Sequence, residues 1–576
     1  MQLGYLNKAP AWGLFHGTGA CGLPAKLILL LSLTLLLFSA SSQAQLPGKA
    51  AIASAHPLAT EAGHQILAAG GNAFDAAVAI SAVLAVVEPY SSGLGGGGFW
   101  LLHRASDGFE TMVDGRERSP MAAYQDMYLD VTGQVMAGAS IDGPLAAGIP
   151  GQPAALVHIA EHYGRLPLKQ TLAPAIELAR KGFPVDAVYQ RMAKRRLSQL
   201  LQSEEAKRIF LQRGEVPELG QTIRQRDLAK TLKSLAKQGH EGFYGGKVAQ
   251  RLVKAVQAAG GIWTQADLAD YRVVERAPIK GDYRGMQITS AAPPSSGGVV
   301  LLLMLNILER YDLDALDAPQ RTHLIIEAMR RAYRDRAEYL GDPDFVDMPL
   351  EQLIHPWYAA GLARDIRQDR ASSSLPGDLQ QQEGMDTSHF SIIDREGNRV
   401  AATLSINYPF GSGFVAEDTG VLLNDEMDDF SIKPGVPNVY GLVGGEANAI
   451  EPGKRMLSSM TPTFVETGEG VAVLGTPGGS RIITMLLLGI LEMAQGKGPQ
   501  AWVTRARFHH QYLPDEVQFE PDALANPVKQ QLSKMGHSLR SLTQSFGNMQ
   551  AVYWNRRSGE VSAASDPRGI GRAEIR

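Results

Sequence analysis

One threonine in this sequence stands where two unlike stretches meet. Residues 371–386 (ASSSLPGDLQQQEGMD) are polar, short-sided and without hydrophobic period, as a flexible linker is. Thr387 follows at once and opens a strand-like run, HFSIID. A hydroxyl nucleophile needs a base beside it. The chain has no G-x-S-x-G elbow, which disfavours a serine hydrolase of that type. A threonine can instead use its own α-amino group as the base, provided the chain is cut just before it. The linker ending at Asp386 is where such a cut could fall. The plain alternative is a threonine chosen as a strand former.

Three other groups invite chemistry. Gly478-Gly479 lies between the strand-like VAVLG and an apolar helical run. Two free N–H groups at a helix start suit an oxyanion, and glycine admits close approach; a tight strand-to-helix turn explains the pair equally well. Residues 93–98 (GLGGGG) satisfy G-x-G-x-x-G formally. A dinucleotide site needs a strand before the glycines and a helix after them, whereas here a helix precedes and the strand-like FWLL follows, which predicts a structural turn. His509-His510 has no third metal ligand at useful spacing. No metal and no cofactor are assigned.

The strand that Thr387 opens is followed by REGN and then RVAATLSIN, a hairpin pattern. With a two- or four-residue turn, Thr387 opposes Ile406, flanked by Ser405 and Asn407. A bulge or a three-residue loop brings Ser405 or Asn407 directly opposite instead.

The elements that must hold these residues follow from periodicity. Residues 58–88 read as two helices separated by a turn at Gly70-Gly71-Asn72, and the second is apolar almost all round. FWLLHRASDGFETMVDGRE reads as a hairpin. SGGVVLLLMLNILERY begins a buried helix, and THLIIEAMRRAYRDRAEYLGD is amphipathic with a charged outer face. After the linker come strands, including PTFVETGEGVAVLG, and then a buried helix, SRIITMLLLGILEMAQ. Helices before the linker and strands after it predict an α+β layered fold.

At 576 residues the chain is long enough for several domains or one large layered one, and a net charge of −4 argues against nucleic-acid binding. Residues 27–38 (LILLLSLTLLLF) follow Lys26 and precede Ser42-Gln43-Ala44. The run is too short to span a bilayer as a helix and suits a signal peptide cut after Ala44, with delivery to a bacterial periplasm. The only cysteine, Cys21, lies before that cut, so the mature chain holds no disulfide and no thiol nucleophile.

With these motifs in view the sequence resembles the γ-glutamyltranspeptidase (glutathione hydrolase) family. Thr387-Ser388-His389-Phe390-Ser391, Asn407, LLNDEMDDFS, KPGVPNVYGLVGG, LSSMTPT, GTPGGSRII, ARFHHQYLPDE and ASDPRG resemble its small subunit, in that order. NAFDAAVA, GLGGGGF and DGRERSP resemble its large subunit. So many motifs in one order are far more specific than any single pattern.

The resemblance implies an N-terminal nucleophile hydrolase with a four-layer αββα sandwich. It implies a signal peptide over 1–44, a large subunit over 45–386 and a small subunit over 387–576, produced by self-cleavage between Asp386 and Thr387 into a heterodimer. Thr387 would take the γ-glutamyl group from glutathione or another γ-glutamyl compound and pass it to water, an amino acid or a peptide. Arg116, Ser458 and Ser459 match the residues that hold the donor's α-carboxylate, and arginine's planar fork suits a carboxylate. Asn407, Glu426 and Asp429 match those that take its α-ammonium. Gly478 and Gly479 match the oxyanion donors, and Tyr440 the gating residue of a lid loop. The family usually carries threonine at Ser405, where the hydroxyl supports the nucleophile; serine keeps the hydroxyl and loses a methyl. The alternatives are a cephalosporin acylase or poly-γ-glutamate-processing enzyme on the same scaffold, and an inactive periplasmic binding homologue.

Overall fold

The computed structural model describes residues 45–374, 387–433, 435–438 and 440–576. Residues 1–44, where a signal peptide was expected, and residues 375–386, which hold Asp386 and most of the expected linker, lie outside the described residues. Among the described residues no helix is long and apolar enough to cross a membrane.

Thirteen strands build two antiparallel sheets. In chain order they are β1 (Ala51–Ser54), β2 (Gly97–Arg104), β3 (Phe109–Gly115), β4 (Val274–Arg276), β5 (Ile279–Tyr283), β6 (Met286–Ser290), β7 (Ser388–Ile393), β8 (Arg399–Ser405), β9 (Thr463–Glu466), β10 (Gly470–Gly475), β11 (Gln550–Asn555), β12 (Val561–Ser565) and β13 (Arg572–Ile575). The first sheet has the order β13-β1-β7-β8-β2-β3-β4, and the second β12-β11-β10-β9-β6-β5. Strands from before and after the linker pair with one another in the first sheet, at β13–β1, β1–β7 and β8–β2, and in the second, where β9 pairs with β6.

Period-two alternation assigns each face. Trp100 and Leu102 of β2 pack outward with helices α1 (Pro57–Ala68) and α2 (Ala73–Val87), while Phe99 and Leu101 pack inward against Phe464, Val471 and Val473 of the other sheet. Val465 and Leu474 face away from that interior, under helices α3 (Gly297–Leu308), α4 (Ala318–Tyr339) and α5 (Ile482–Ala494). Helices, sheet, sheet and helices make the four-layer αββα sandwich that the resemblance implied. Helix α2 is buried at every position, as its apolar circumference requires.

Two local expectations are corrected. Asn72 does not close α1: its side chain accepts from the Phe74 and Asp75 N–H groups and starts α2 in a capping box. The charged face of α4 is not solvated. Glu327, Arg330, Arg331, Asp335 and Arg336 are all buried, because Glu327 is answered by Arg331 at 2.6 Å and the arginines reach serines of adjoining segments.

The β7–β8 hairpin decides the register left open above. Ser388 pairs with Leu404 and Ile393 with Arg399, so residues 394–398 form a five-residue loop, and the same register sets Thr387, just before the strand, level with Ser405. Asp394 holds the loop. Its Oδ1 accepts from the N–H of Glu396 at 2.9 Å and of Asn398 at 3.0 Å. Its Oδ2 accepts from Asn398 Nδ2 at 2.8 Å and from the first N–H of α2, on Ala73, at 2.9 Å. One carboxylate thus closes the loop and ties it to the helix layer. Asp394→Ala leaves those donors unanswered in a buried place, an expected loss of about 2–4 kcal/mol. Thermal and urea unfolding should show it; an unchanged midpoint would mean that the loop sequence alone sets the register.

Candidate active site

Thr387 sits at the start of the third strand of the first sheet, 7 % exposed. Its Oγ1 accepts a hydrogen bond of 3.1 Å from the Gly478 N–H. Gly478 (φ 142°) and Gly479 (φ 55°) make the corner between β10 and a 3-10 turn, Gly479–Arg481, that runs into α5. A side chain at Gly479 would meet the Tyr440 ring at 2.7 Å, so the corner is glycine for conformation and for close approach together. The sequence offered a tight turn or an oxyanion site; the geometry is both a turn and an N–H aimed at the threonine hydroxyl.

A tight cavity, of about 20 Å³, adjoins the hydroxyl. Its lining includes Arg116, Ser405, Asn407, Asp429, Tyr440, Ser458, Ser459 and Gly479, so eight of the residues singled out from sequence meet Thr387 around one space. Tyr440 covers it: its hydroxyl donates to the Asn407 carbonyl at 2.8 Å, and Gln511 Nε2 donates to the Tyr440 carbonyl at 3.1 Å. Asn407 has φ 70°, stabilised by its N–H donating to Ser405 Oγ at 2.8 Å and its Nδ2 to the Asp425 carbonyl at 3.0 Å. The Asn407 N–H thus donates to Ser405 Oγ, and the Thr387 hydroxyl is met by Gly478.

Arg116 follows the end of β3 and is buried. Its Nη1 lies 2.9 Å from Glu426 and 3.4 Å from Glu117, its Nη2 lies 2.5 Å from Asp429, and its Nε donates to the Met456 carbonyl at 3.1 Å. Glu426 and Asp429 come from one 3-10 turn, Glu426–Asp429, whose tightness puts both carboxylates on the same guanidinium. Of its hydrogen bonds, Nε goes to Met456, Nη1 to Glu117 and Nη2 to Asp429, while Glu426 stands close to Nη1 as an ion pair. The guanidinium expected to grip a substrate carboxylate already stands against three carboxylates of the protein. Burial raises Glu426 to about 7, opposed by Arg116 and reinforced by Asp429. Glu117 is raised too, by burial and then by Glu426.

Sequence reasoning missed Glu88 and Arg336. Glu88 ends α2 as its C-cap and accepts from Ser388 Oγ at 2.6 Å, fixing the residue after Thr387; burial raises its pKa. The hydroxyl-rich TSHFS run was the only signal. The glycine run 93–98 packs on the site's far side: a side chain at Gly96 would lie 2.1 Å from the Ser405 carbonyl, which explains the glycine without a dinucleotide. His509 meets Thr484 at 2.9 Å and Gln511 at 2.8 Å, and His510 meets Asp515 at 3.1 Å. His323, Glu327 and His537 gather at ligand distance, but Glu327 is taken by Arg330 and Arg331, a cationic setting unsuited to a metal ion.

A family model described as gamma-glutamyltranspeptidase matches residues 59–575. The chain is 44% identical over 527 residues to the glutathione hydrolase proenzyme of Escherichia coli, covering 90% of each. Among solved structures, cephalosporin acylase from Bacillus halodurans superposes with TM-score 0.79 at 28% identity, covering 92% of this chain and 96% of that one. Helicobacter pylori gamma-glutamyltranspeptidase superposes with TM-score 0.54 at 42% identity, covering 55% of this chain and 92% of that one.

The Glu426 shift has a consequence for stability. A carboxyl raised to about 7 in the folded state, against 4.5 unfolded, binds its proton more tightly when folded. Its contribution is fully present below the unfolded value and is lost as pH rises through about 7. Glu426→Gln should flatten that part of the profile, a change on the order of 1–3 kcal/mol between acid and alkaline pH. Thermal midpoints across the pH range 5–8 check this; parallel profiles for the two proteins would mean that the carboxyl titrates ordinarily.

Proposed function

The chain belongs to the γ-glutamyltranspeptidase family, and on that premise we propose how its residues divide the work. It is an enzyme of glutathione hydrolysis and γ-glutamyl transfer, acting on glutathione and other γ-glutamyl compounds. The cephalosporin-acylase alternative has less support, since identity to that structure is 28% against 44% to the glutathione hydrolase.

In our reading Thr387 is the nucleophile, first toward its own chain. Its Oγ attacks the Asp386 carbonyl and the C–N bond to the Thr387 nitrogen breaks, leaving an ester and a free α-amine. Water then hydrolyses the ester and releases a chain ending at Asp386. The product is a heterodimer of 45–386 and 387–576. Support comes from the interleaved sheet: β7 lies between β1 and β8, so main-chain hydrogen bonds hold the two pieces together.

In turnover the α-amine accepts the Thr387 hydroxyl proton as Oγ attacks the donor's γ-carbonyl. The tetrahedral oxyanion is met by the N–H groups of Gly478 and Gly479. Collapse expels the amine, which takes the proton, and leaves a γ-glutamyl ester on Thr387. Water or an acceptor amine then repeats the steps in reverse. Arg116, Ser458 and Ser459 hold the α-carboxylate, Asn407, Glu426 and Asp429 the α-ammonium, Ser405 supports Thr387, and Tyr440 gates the cavity. The observation that carries the reading is Thr387 Oγ1, 3.1 Å from the Gly478 N–H and on the wall of the cavity that Arg116 and Asp429 share. Removal of residues 1–44 as a signal peptide and residence in the periplasm complete the proposal.

Purified protein should run as two pieces on a denaturing gel, the smaller beginning at Thr387, and Thr387→Ala should remain one chain. Normal cutting of the alanine variant would end the nucleophile assignment. Arg116→Lys keeps charge and loses the fork, at an expected cost of about 1.5–3 kcal/mol in transition-state binding. That is about 10- to 150-fold in kcat/KM for γ-glutamyl-p-nitroanilide. The loss should be much smaller for the α-carboxamide analogue, and equal losses would mean that Arg116 acts only through structure.

A further inference from the structure

Charge around the cavity is unevenly answered. Arg116 has three carboxylates within 3.4 Å. Arg336, from the last turn of α4, is 5 % exposed, and among the described residues no carboxylate stands within ion-pair distance of it. Its Nε donates to Ser296 Oγ at 3.0 Å and its Nη2 to Ser459 Oγ at 3.3 Å. The carboxylate whose field reaches it, Asp429, is already paired with Arg116. A guanidinium buried without an anion is costly, and a protein keeps one where a charge arrives from elsewhere.

Both of its hydroxyl partners lead to the cavity. Ser459 lines it beside Thr387 and Arg116. An oxygen that accepts from a guanidinium has its own O–H free to donate, and the cationic donor strengthens that second bond. Ser296 Oγ donates to the Ser458 carbonyl at 2.7 Å, and the Ser296 N–H donates to the same oxygen at 2.8 Å. The arginine therefore braces the main chain of Ser458 while polarising the hydroxyl of Ser459.

We infer that Arg336 is the positioning cation for the donor's α-carboxylate, acting through the Ser459 hydroxyl, with the substrate anion supplying the counter-charge that the protein omits. The inference rests on the donor-site reading proposed above. It adds to Arg116, which the donor-site reading places on the same carboxylate, a second guanidinium that sets the potential there through Ser459.

The test uses the self-cleaved enzyme with γ-glutamyl-p-nitroanilide and its α-carboxamide analogue, which keeps shape and loses charge. Arg336→Lys should raise KM for the first about tenfold, with kcat changed less than about threefold, and leave KM for the analogue within about threefold. Arg336→Met should widen the gap between the two donors. If the methionine variant fails to fold or cut, the lysine variant carries the comparison, and Ser459→Ala is combined with it. The double variant should lose less than the product of the single losses, because both act on one hydroxyl. Equal losses on both donors, no loss on either, or independent effects in the double variant overturn the inference. Arg116→Lys is measured alongside. If it discriminates between the donors and Arg336→Lys does not, only the inference falls; if neither discriminates, the donor-site reading falls with it.

Discussion

The placement of Thr387 depends on one strand, β7, that its neighbours hold fixed. β7 is paired along one edge with β8 over its whole length and along the other with β1. Over Phe390–Ile393 its main chain is paired on both sides, and its side chains are buried along its whole length. A strand so held cannot slip by one residue without turning every side chain to the wrong layer. Thr387, just before its first residue, inherits that fixity while standing at the edge of the packed sheet. A catalytic hydroxyl needs such a position: held to a fraction of an ångström by its successor residues, yet bordered by open space.

Around that fixed point the site is a problem in electrostatics. The cavity gathers one surplus of negative charge, on Arg116, and one of positive charge, on Arg336, about a ligand head that carries both signs. Glu426 shows the strain of the first: buried beside Asp429, it is raised to about 7 despite Arg116. A donor ammonium would relieve that excess, just as a donor carboxylate would answer Arg336. In the proposed reading the protein alone is imperfectly neutralised, and a zwitterionic head would complete it. Tyr440 closes over this space through the Asn407 carbonyl, so the residue that shields the site is tied to one of those that line it.

Much of this was readable in the chain. The apolar circumference of α2, the period-two strands and the glycine corner at Gly478 each follow from local rules of spacing and residue type. So do the layered α+β class and the ordered motifs that carried the family resemblance. Local rules reach that far because helix faces, strand alternation and turns depend on neighbours a few residues away.

What the sequence left open depended on contacts between distant segments. The hairpin register waited on Asp394, whose carboxylate joins the loop to Ala73, 321 residues earlier. The charged stripe of α4 looked solvated because nothing near it in the chain reveals that Ser296, Ser372 and Ser459 close over it. Arg116 looked like a free fork because Glu426 and Asp429 are more than 300 residues away in the chain and meet it only when a 3-10 turn aims both carboxylates at one guanidinium. The sequence determined which groups exist and what element each sits on. Only the packed tertiary structure decided which charges meet, because Coulomb energies and desolvation depend on distance and burial in space, and the order of residues along the chain does not contain either.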